Sequence, residues 1–308
     1  MKTSIFANKK TKSTVEKTAA IILRICAFVS VAAVIAITVY MIISGAPALG
    51  KVGIKEILFS SEWAPTAANP KFGILYVILT SIVGVLLAII LGVPIGILTA
   101  VNLAEVAPKG IKKILKSSIE LLAGIPSVIY GLMGIIIINP LMYSLEKAIF
   151  ANDPSHQMTG GANLISAVLV LTVMILPTLI NITTTSLETV PEDYRRSSYA
   201  LGATKMQTIF KITLPAAKNG IATAIVLGVG RAIGEAMAIV LVAGNAVNAP
   251  FPFNSVRFLT TAIVSEMSYA NGLHRQVLFT IGLVLFVFII LINLFLTFII
   301  KKGDKDDE

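Results

Sequence analysis

Six long apolar runs decide what this chain can fold into. A helix needs about 20 apolar residues to cross the hydrocarbon core of a bilayer, and each run is about that long or longer. Charged residues make up 13% of the 308 residues, whereas a soluble domain has about 25%. We therefore predict an all-α integral membrane protein with six transmembrane helices. Their predicted bounds are 19–44, 73–101, 119–141, 164–182, 217–247 and 277–300.

The distribution of lysine and arginine residues between the loops predicts which side of the membrane each loop faces. With the N-terminus inside, the inner tails and loops hold seventeen of these residues and the outer segments hold six. Basic residues accumulate on the cytoplasmic side of membrane proteins, so both termini are predicted to be cytoplasmic. The predicted order is a cytoplasmic tail at 1–18, a first transmembrane helix at 19–44, an extracytoplasmic loop at 45–72, a five-helix core at 73–300 with a cytoplasmic loop at 183–215, and a second cytoplasmic tail at 301–308.

The net charge of +9 does not indicate a nucleic-acid-binding protein. The basic residues lie in short clusters between apolar runs, which is typical of the inner membrane surface. The two histidines, His156 and His274, fall in outside loops. A metal site or catalytic centre within the spans is therefore not expected, and an intramembrane enzyme is the remote alternative.

The 183–215 loop carries explicit helix signals. Thr189 with Glu192, and Thr204 with Gln207, fit two capping boxes, and Gly202 between them suits a left-handed turn. Apolar residues at helical spacing then lead to a proline that ends or kinks the second helix. The pattern predicts two short helices with an apolar stripe. They either lie on the inner leaflet or dock a cytoplasmic partner.

An arginine and a glutamate lie inside the fifth apolar run. Arg231 is 14 residues beyond the start of the run, or about 21 Å along a helix, well within a hydrocarbon core of about 30 Å. Glu235 follows at i+4 and is predicted to lie on the same face. The two form either a structural pair or part of a substrate pathway, since intramembrane ionisable residues are functional-site candidates. For an anion, the planar donors of arginine are the useful partner.

Small residues and prolines interrupt the spans near this pair. Gly230 and Gly234 have the spacing that lets transmembrane helices approach closely, with Gly228 beside them. Gly124 and Pro126 are predicted to kink or loosen the third span. Together with a buried arginine, these interruptions favour a bundle that changes shape.

The chain resembles the permease subunits of type I ABC importers, and among them the PstC-type subunit of phosphate-specific transporters. The family's loop signature is Glu-Ala-Ala, three residues, Gly, nine residues and Ile-x-Leu-Pro. Gly202, Ile212, Leu214 and Pro215 match it, whereas Arg196-Ser197-Ser198 replaces Glu-Ala-Ala. The phosphate-specific resemblance extends from about Trp63 to Ile300. Its runs are Trp63-x-Pro65, Phe72-Gly73, Glu120 to Gly131, Ala200 to Thr204, Gly228 to Glu235 and Val242 to Asn245.

The resemblance implies a type I ABC importer permease fold and a heteromeric complex in a bacterial or archaeal cell membrane. A second, homologous permease would complete the pathway, a dimeric cytoplasmic ATPase would bind the loops, and an extracytoplasmic binding protein would deliver inorganic phosphate. Arg231 and Glu235 would line the substrate pathway. The chain has no Gly-x-x-x-x-Gly-Lys-Ser/Thr run, so it would bind no cofactor itself, and ATP and Mg²⁺ would belong to the ATPase. The implied coupling residues are Arg196, Ser197, Ser198, Gly202, Ala203, Thr204, Ile212, Leu214 and Pro215. Sulfate, molybdate or phosphonate stays open as the substrate, and a passive channel as the mechanism.

Overall fold

The structure, a computed structural model, describes residues 9–305, with side chains described from residue 16 except at 296 and 299–305. The tails predicted at 1–18 and 301–308 therefore lie partly outside the described residues. The α-helices are α1 Lys9–Val52, α2 Ile54–Phe59, α3 Leu75–Val101, α4 Lys109–Ala123, α5 Ser127–Met133, α6 Asn139–Ile149, α7 Leu164–Glu188, α8 Glu192–Ala200, α9 Lys205–Thr208, α10 Leu214–Ala216, α11 Lys218–Gly234, α12 Met237–Val242, α13 Leu259–Glu266 and α14 Gly272–Lys305. Three π-helical turns, Asn102–Val106, Gly134–Ile138 and Ile209–Thr213, extend or join helices.

The predicted membrane architecture is confirmed. Among the described residues, five helices are long and apolar enough to cross a membrane, and a bent pair raises the number to six. The five are Glu16–Val52, Leu75–Val106, Ser127–Ile149, Leu164–Glu188 and Gly272–Phe295. The bent pair joins Lys205–Ala216 to Lys218–Gly234 at 68°. We call the end of the bundle that carries α4 and α8 to α10 the basic end, and the other the opposite end.

The third span begins later than predicted. The prediction placed its start at residue 119, but α4 ends at Ala123 and the apolar span runs over Ser127–Ile149. Pro126 has φ −57° and ψ 140°, an extended conformation that breaks the helix rather than kinking it. The hydroxyl of Tyr130 donates to the carbonyl oxygen of Leu122 at 2.7 Å, so a carbonyl freed by the break keeps a partner.

The fifth span is not the single helix predicted at 217–247. α11 ends at Gly234, and Glu235 is extended with ψ 129°. The chain then forms the short helix α12. It returns through an irregular segment to α13, whose first turn reaches back to the break. The fifth apolar run therefore contains two helices with a polar residue between them.

The segment predicted as an extracytoplasmic loop at 45–72 is more ordered than a loop. α1 continues to Val52 and α2 follows it. Two strands of two residues each, β1 at Trp63–Ala64 and β2 at Lys71–Phe72, pair antiparallel. The all-α description holds for the membrane part of the chain, and this small hairpin lies at the opposite end.

The central helix of the bundle is α7. Of its most apolar stretch, 61% of the residues are buried, whereas none are buried in the most apolar stretch of α1. α3 and α11 pack on α7. The close approach of α3 depends on glycine, because a Cβ at Gly92 would lie only 2.8 Å from Ile175 Cδ1 and a Cβ at Gly96 only 2.9 Å from Leu179 Cβ. α1 and α14 pack on each other, where the hydroxyl of Thr280 donates to the carbonyl oxygen of Gly45 at 2.9 Å.

A buried polar cluster holds the opposite end together. The carboxylate of Glu266 accepts from Trp63 Nε1 at 3.1 and 3.2 Å, bonds His274 Nε2 at 2.7 Å and forms an ion pair with Arg257. Partial burial raises the pKa of the neighbouring Tyr269 phenol, and the Glu266 charge adds to the rise. The cluster joins the hairpin, α13 and α14, which satisfies charges that would otherwise be buried without partners.

We predict that Gly96→Leu destabilises the bundle. The new side chain would collide with the stiff Cβ of Leu179, and overpacking of this kind costs about 1–3 kcal/mol. The measurement is the thermal unfolding midpoint of the purified protein in detergent. Gly50→Leu is the matched control because the space around Gly50 is open. Equal midpoints for the two variants would contradict the close α3–α7 packing.

Candidate functional site

The 183–215 loop forms helices as predicted, but the first capping box is wrong. α7 continues to Glu188, so Thr189 is its C-terminal cap and the Thr189 hydroxyl donates to the carbonyl oxygen of Ser186 at 2.8 Å. Pro191 takes the position before α8 and forms no side-chain cap. A Thr-x-x-Glu pattern cannot show whether the preceding helix has already ended, which is why the prediction failed.

The second half of the loop agrees with the prediction. Gly202 has φ +84°, a left-handed conformation that is costly for other residues. Thr204 and Gln207 form the capping box: Thr204 Oγ1 accepts from the Gln207 backbone at 3.3 Å, and Gln207 Oε1 accepts from the Thr204 backbone at 2.8 Å. A hydrogen bond of 2.8 Å between the buried hydroxyls of Ser198 and Thr208 joins α8 to α9.

A groove of about 620 Å³ lies between α8 and the segment that follows the Gly202 turn. Five of the nine predicted coupling residues line it, and Leu201 at its edge is 89% exposed. The five are Ser197, Ser198, Gly202, Ala203 and Ile212. Of the remaining four, Arg196 is an exposed residue paired with Glu192 at 3.1 Å, Thr204 caps α9, and Leu214 and Pro215 lie in α10 before the bend into α11.

Arg231 does not pair with Glu235. Its Nη1 donates instead to the hydroxyl of Thr178 on α7 at 3.3 Å, and Tyr130 of α5 lies within electrostatic range. Both Arg231 and Glu235 are described, and no hydrogen bond or ion pair joins their side chains. The predicted pairing assumed a continuous helix, whereas α11 ends between the two residues. The Arg231 charge is thus not neutralised by this glutamate.

Glu235 stabilises the helix break. Its carboxylate accepts from the backbone N–H of Ala238 at 3.0 Å, and its carbonyl oxygen accepts from the hydroxyl of Thr260 at 2.6 Å. A break within a span frees backbone groups that lipid cannot satisfy, so such partners are required. The position therefore holds a fixed, half-buried carboxylate at the junction of α11 and α12.

The glycines predicted for close packing behave differently from one another. A Cβ on Gly228 would lie 3.2 Å from Leu179, so this residue is in contact with α7. The space around Gly230 and Gly234 within this chain is open, so these two make no close contact inside the described bundle and their role in helix packing stays a prediction. Gly234 ends α11, and Gly124 and Pro126 flank the break before α5.

An arginine and a threonine from two helices meet here, with a tyrosine from a third helix nearby. Arg231 on α11 donates to Thr178 on α7 at 3.3 Å, and Tyr130 on α5 lies within electrostatic range of Arg231 while its own hydroxyl donates to Leu122. Guanidinium and hydroxyl donors suit an oxyanion.

Sequence reasoning missed Thr178 and Thr260, because spacing along one helix gives no signal for contacts between helices. Among the described residues, no group of three or more His, Cys, Asp or Glu side chains could hold a metal ion.

Comparison with known proteins identifies relatives over most of the chain. A family model described as a binding-protein-dependent transport system inner membrane component matches residues 92–304. A Bacillus subtilis (strain 168) protein named probable ABC transporter permease protein YqgH is 36% identical over 277 residues, 87% of this chain and 86% of that protein. The phosphate transport system permease protein PstC of Xylella fastidiosa (strain 9a5c) is 34% identical over 272 residues, 85% of this chain and 82% of that protein.

One solved structure has a similar fold over nearly the whole chain. It is the crystal structure of a bacterial alginate ABC transporter in complex with an alginate pentasaccharide-bound periplasmic protein. The TM-score is 0.62 at 18% identity, and the match covers 94% of each chain. At this identity the similarity concerns the fold alone, which agrees with the predicted fold class.

We predict that a cysteine at position 231 reacts with a charged methanethiosulfonate in the assembled protein. The background carries Cys26→Ser, which removes the free exposed thiol of the described chain. Arg231→Cys should react about tenfold faster or more than Ile233→Cys, because the thiolate forms where water has access and Ile233 is buried. Equal protection of both thiols would contradict a water-accessible site at Arg231.

Proposed function

The chain belongs to the family of binding-protein-dependent transport system inner membrane components, and we propose that it is the permease subunit of an ATP-driven importer of inorganic phosphate. Relatives named phosphate transport system permease protein PstC, at 32–34% identity over most of the chain, support phosphate as the substrate. The chain forms half of the translocation pathway, and a second, homologous permease forms the other half.

The observation that carries the proposal is the position of Arg231. It lies 13 residues after Lys218 in α11, or about 20 Å along the helix, and its guanidinium is not neutralised by Glu235. A charged side chain at such a depth is costly unless it faces protein or water. Phosphate can accept two parallel N–H donors from a guanidinium. Arg231 thus offers a bidentate site for phosphate partway through the membrane.

Glu235 has a different role from the one that its spacing predicts. Because its carboxylate caps α12 and its carbonyl oxygen binds Thr260, Glu235 holds the bend that turns the chain away from the pathway. Its negative charge near the site opposes tight retention of an anion. Arg231 binds phosphate, and Glu235 fixes the shape of the pathway and limits the affinity.

ATP hydrolysis takes place in a partner. The groove between α8 and the segment after Gly202 is the docking site for a dimeric cytoplasmic ATPase, which uses ATP and Mg²⁺, while this chain is not catalytic. The basic end then faces the cytoplasm with both termini, as the lysine and arginine distribution favours. A binding protein delivers phosphate to the opposite end. The transporter lies in a bacterial or archaeal cell membrane.

The proposed substrate role of Arg231 is tested by phosphate uptake. In proteoliposomes that contain the complete transporter, we expect Arg231→Gln to lower ATP-dependent uptake about tenfold or more, because a hydrogen bond to a charged group contributes about 1.5–3 kcal/mol. Arg275→Gln is the control, since Arg275 is exposed at the opposite end. An Arg231→Gln complex that assembles, hydrolyses ATP and imports at the wild-type rate would refute the role.

The docking role of the loop is tested at Gly202. Valine at φ +84° is strained by about 1–2 kcal/mol, which displaces α8 from the segment after the turn. We expect Gly202→Val to lower the phosphate imported per ATP hydrolysed about fivefold, with Gly110→Val in α4 as the unstrained control. Unchanged coupling in the Gly202→Val transporter would count against the loop as the ATPase contact.

A further inference from the structure

Arg195 makes four hydrogen bonds that none of the roles above uses. Its Nη2 donates to Glu105 Oε1 at 2.6 Å and its Nε to the same oxygen at 3.1 Å. Its Nη1 donates to the carbonyl oxygen of Val190 at 2.8 Å, and Nη2 also donates to that of Leu187 at 2.8 Å. One guanidinium on α8 thereby contacts the last turn of α7 and the π-helical turn that follows α3.

The contact is shielded from solvent. The side chains of Arg195 and Glu105 are 17% and 9% exposed, whereas the neighbouring pair of Arg196 and Glu192 is 69% and 71% exposed. Exposed pairs contribute little to stability, while breaking a buried pair leaves an unpaired buried charge and is strongly destabilising. Of the two adjacent arginines, Arg195 is the one that ties α8 to the bundle.

Arg195 finds its partners at the ends of two helices. The carbonyl oxygens of the last turn of a helix have no partner within it and carry partial negative charge, so a cation is favourable there. Asn102–Val106 is a π-helical turn, and π-helical turns occur frequently at functional sites. This turn carries Glu105 at the end of α3 and supplies the carboxylate that completes the set. Lysine could replace the charge but not the fork of donors.

We propose that Arg195 is a positioning residue that clamps α8 to the ends of α3 and α7. This inference rests on the proposed function, in which a cytoplasmic ATPase docks in the groove beside α8, and it adds that the docked ATPase displaces α8. The second half of the loop leads directly into α11 through α10, at a bend of 68°. α8 has no such continuation into α3, and its backbone link to α7 is the short segment 189–191. The clamp adds a side-chain connection, so a displacement of α8 moves α3 and α7 together while the second half moves α11.

A second contact supports a rigid unit at the basic end. Lys112 and Lys116 of α4 lie 2.8 and 3.6 Å from the carboxylate oxygens of Glu188, the last residue of α7. The end of α7 is therefore held on one side by α4 and on the other by Arg195. Loss of the Arg195 contact leaves α7 attached to α4 and joined to α8 only through the backbone of 189–191, which predicts a fold that is destabilised but retained and a loss of coupling.

The experiment compares Arg195→Gln, Glu105→Gln and the control Lys113→Gln in the complete transporter in lipid nanodiscs and proteoliposomes. Lys113 is an exposed residue of α4 at the same end of the bundle. Two quantities are measured: phosphate imported per ATP hydrolysed, and hydrogen–deuterium exchange of the backbone over 102–106 and 187–200. A purely structural defect lowers the amount of assembled complex but leaves the ratio of phosphate to ATP unchanged.

We expect Arg195→Gln to lower the phosphate imported per ATP about fivefold or more, within the usual range of coupling between sites, and to accelerate exchange in both segments. Glu105→Gln should change both readouts in the same direction by less, since the bonds to Leu187 and Val190 remain. Lys113→Gln should match the wild type. A wild-type ratio or unchanged exchange in Arg195→Gln would overturn the clamp.

The outcomes separate the clamp from the proposed function. If the wild-type transporter imports no phosphate, the proposed function fails, and the exchange measurement still decides whether Arg195 holds the two helix ends. If Arg195→Gln does not assemble, Glu105→Gln decides: faster exchange with a lower ratio of phosphate to ATP supports the clamp, and wild-type values for both contradict it.

Discussion

The need to satisfy every backbone polar group inside lipid governs this structure. A helix meets that need by itself, so each place where a span stops being helical must find partners elsewhere. At the break after α11, the Glu235 carboxylate binds the Ala238 N–H and the Thr260 hydroxyl binds the Glu235 carbonyl oxygen. At the break before α5, the Tyr130 hydroxyl binds the Leu122 carbonyl oxygen. The breaks are specific features with dedicated side chains, not weak points in the helices.

The position of the break after α11 has an electrostatic consequence. Since α11 stops at Gly234, Glu235 leaves the face of Arg231, and the guanidinium has Thr178 rather than this carboxylate as its hydrogen-bond partner. A continuous helix would place the two side chains on one face, at the spacing of an ion pair. The same interruption leaves the Arg231 guanidinium without an ion pair to Glu235, which the proposed binding of an anion requires. At the basic end, the clamp formed by Arg195 and the bend at α10 give two separate connections from the loop to the bundle.

Features that depend on local sequence could be predicted, and features that depend on distant contacts could not. The apolar runs, the φ of Gly202 and the capping box at Thr204 arise from neighbouring residues, and the structure confirms them. The pairing of Arg231 with Glu235 failed because the end of α11 is set partly by Thr260, which lies 25 residues away. Arg195 likewise gave no signal, because its carboxylate partner Glu105 lies 90 residues earlier in the chain.

The central claim is that this chain forms half of an ATP-driven pathway for inorganic phosphate. The most direct test is the uptake of radiolabelled phosphate by proteoliposomes containing the wild-type complex with its binding protein, in the presence of excess unlabelled phosphate, sulfate or molybdate. We expect ATP-dependent uptake that unlabelled phosphate suppresses and that sulfate and molybdate leave unchanged. Suppression by sulfate or molybdate as strong as that by phosphate, or uptake that does not require ATP, would contradict it.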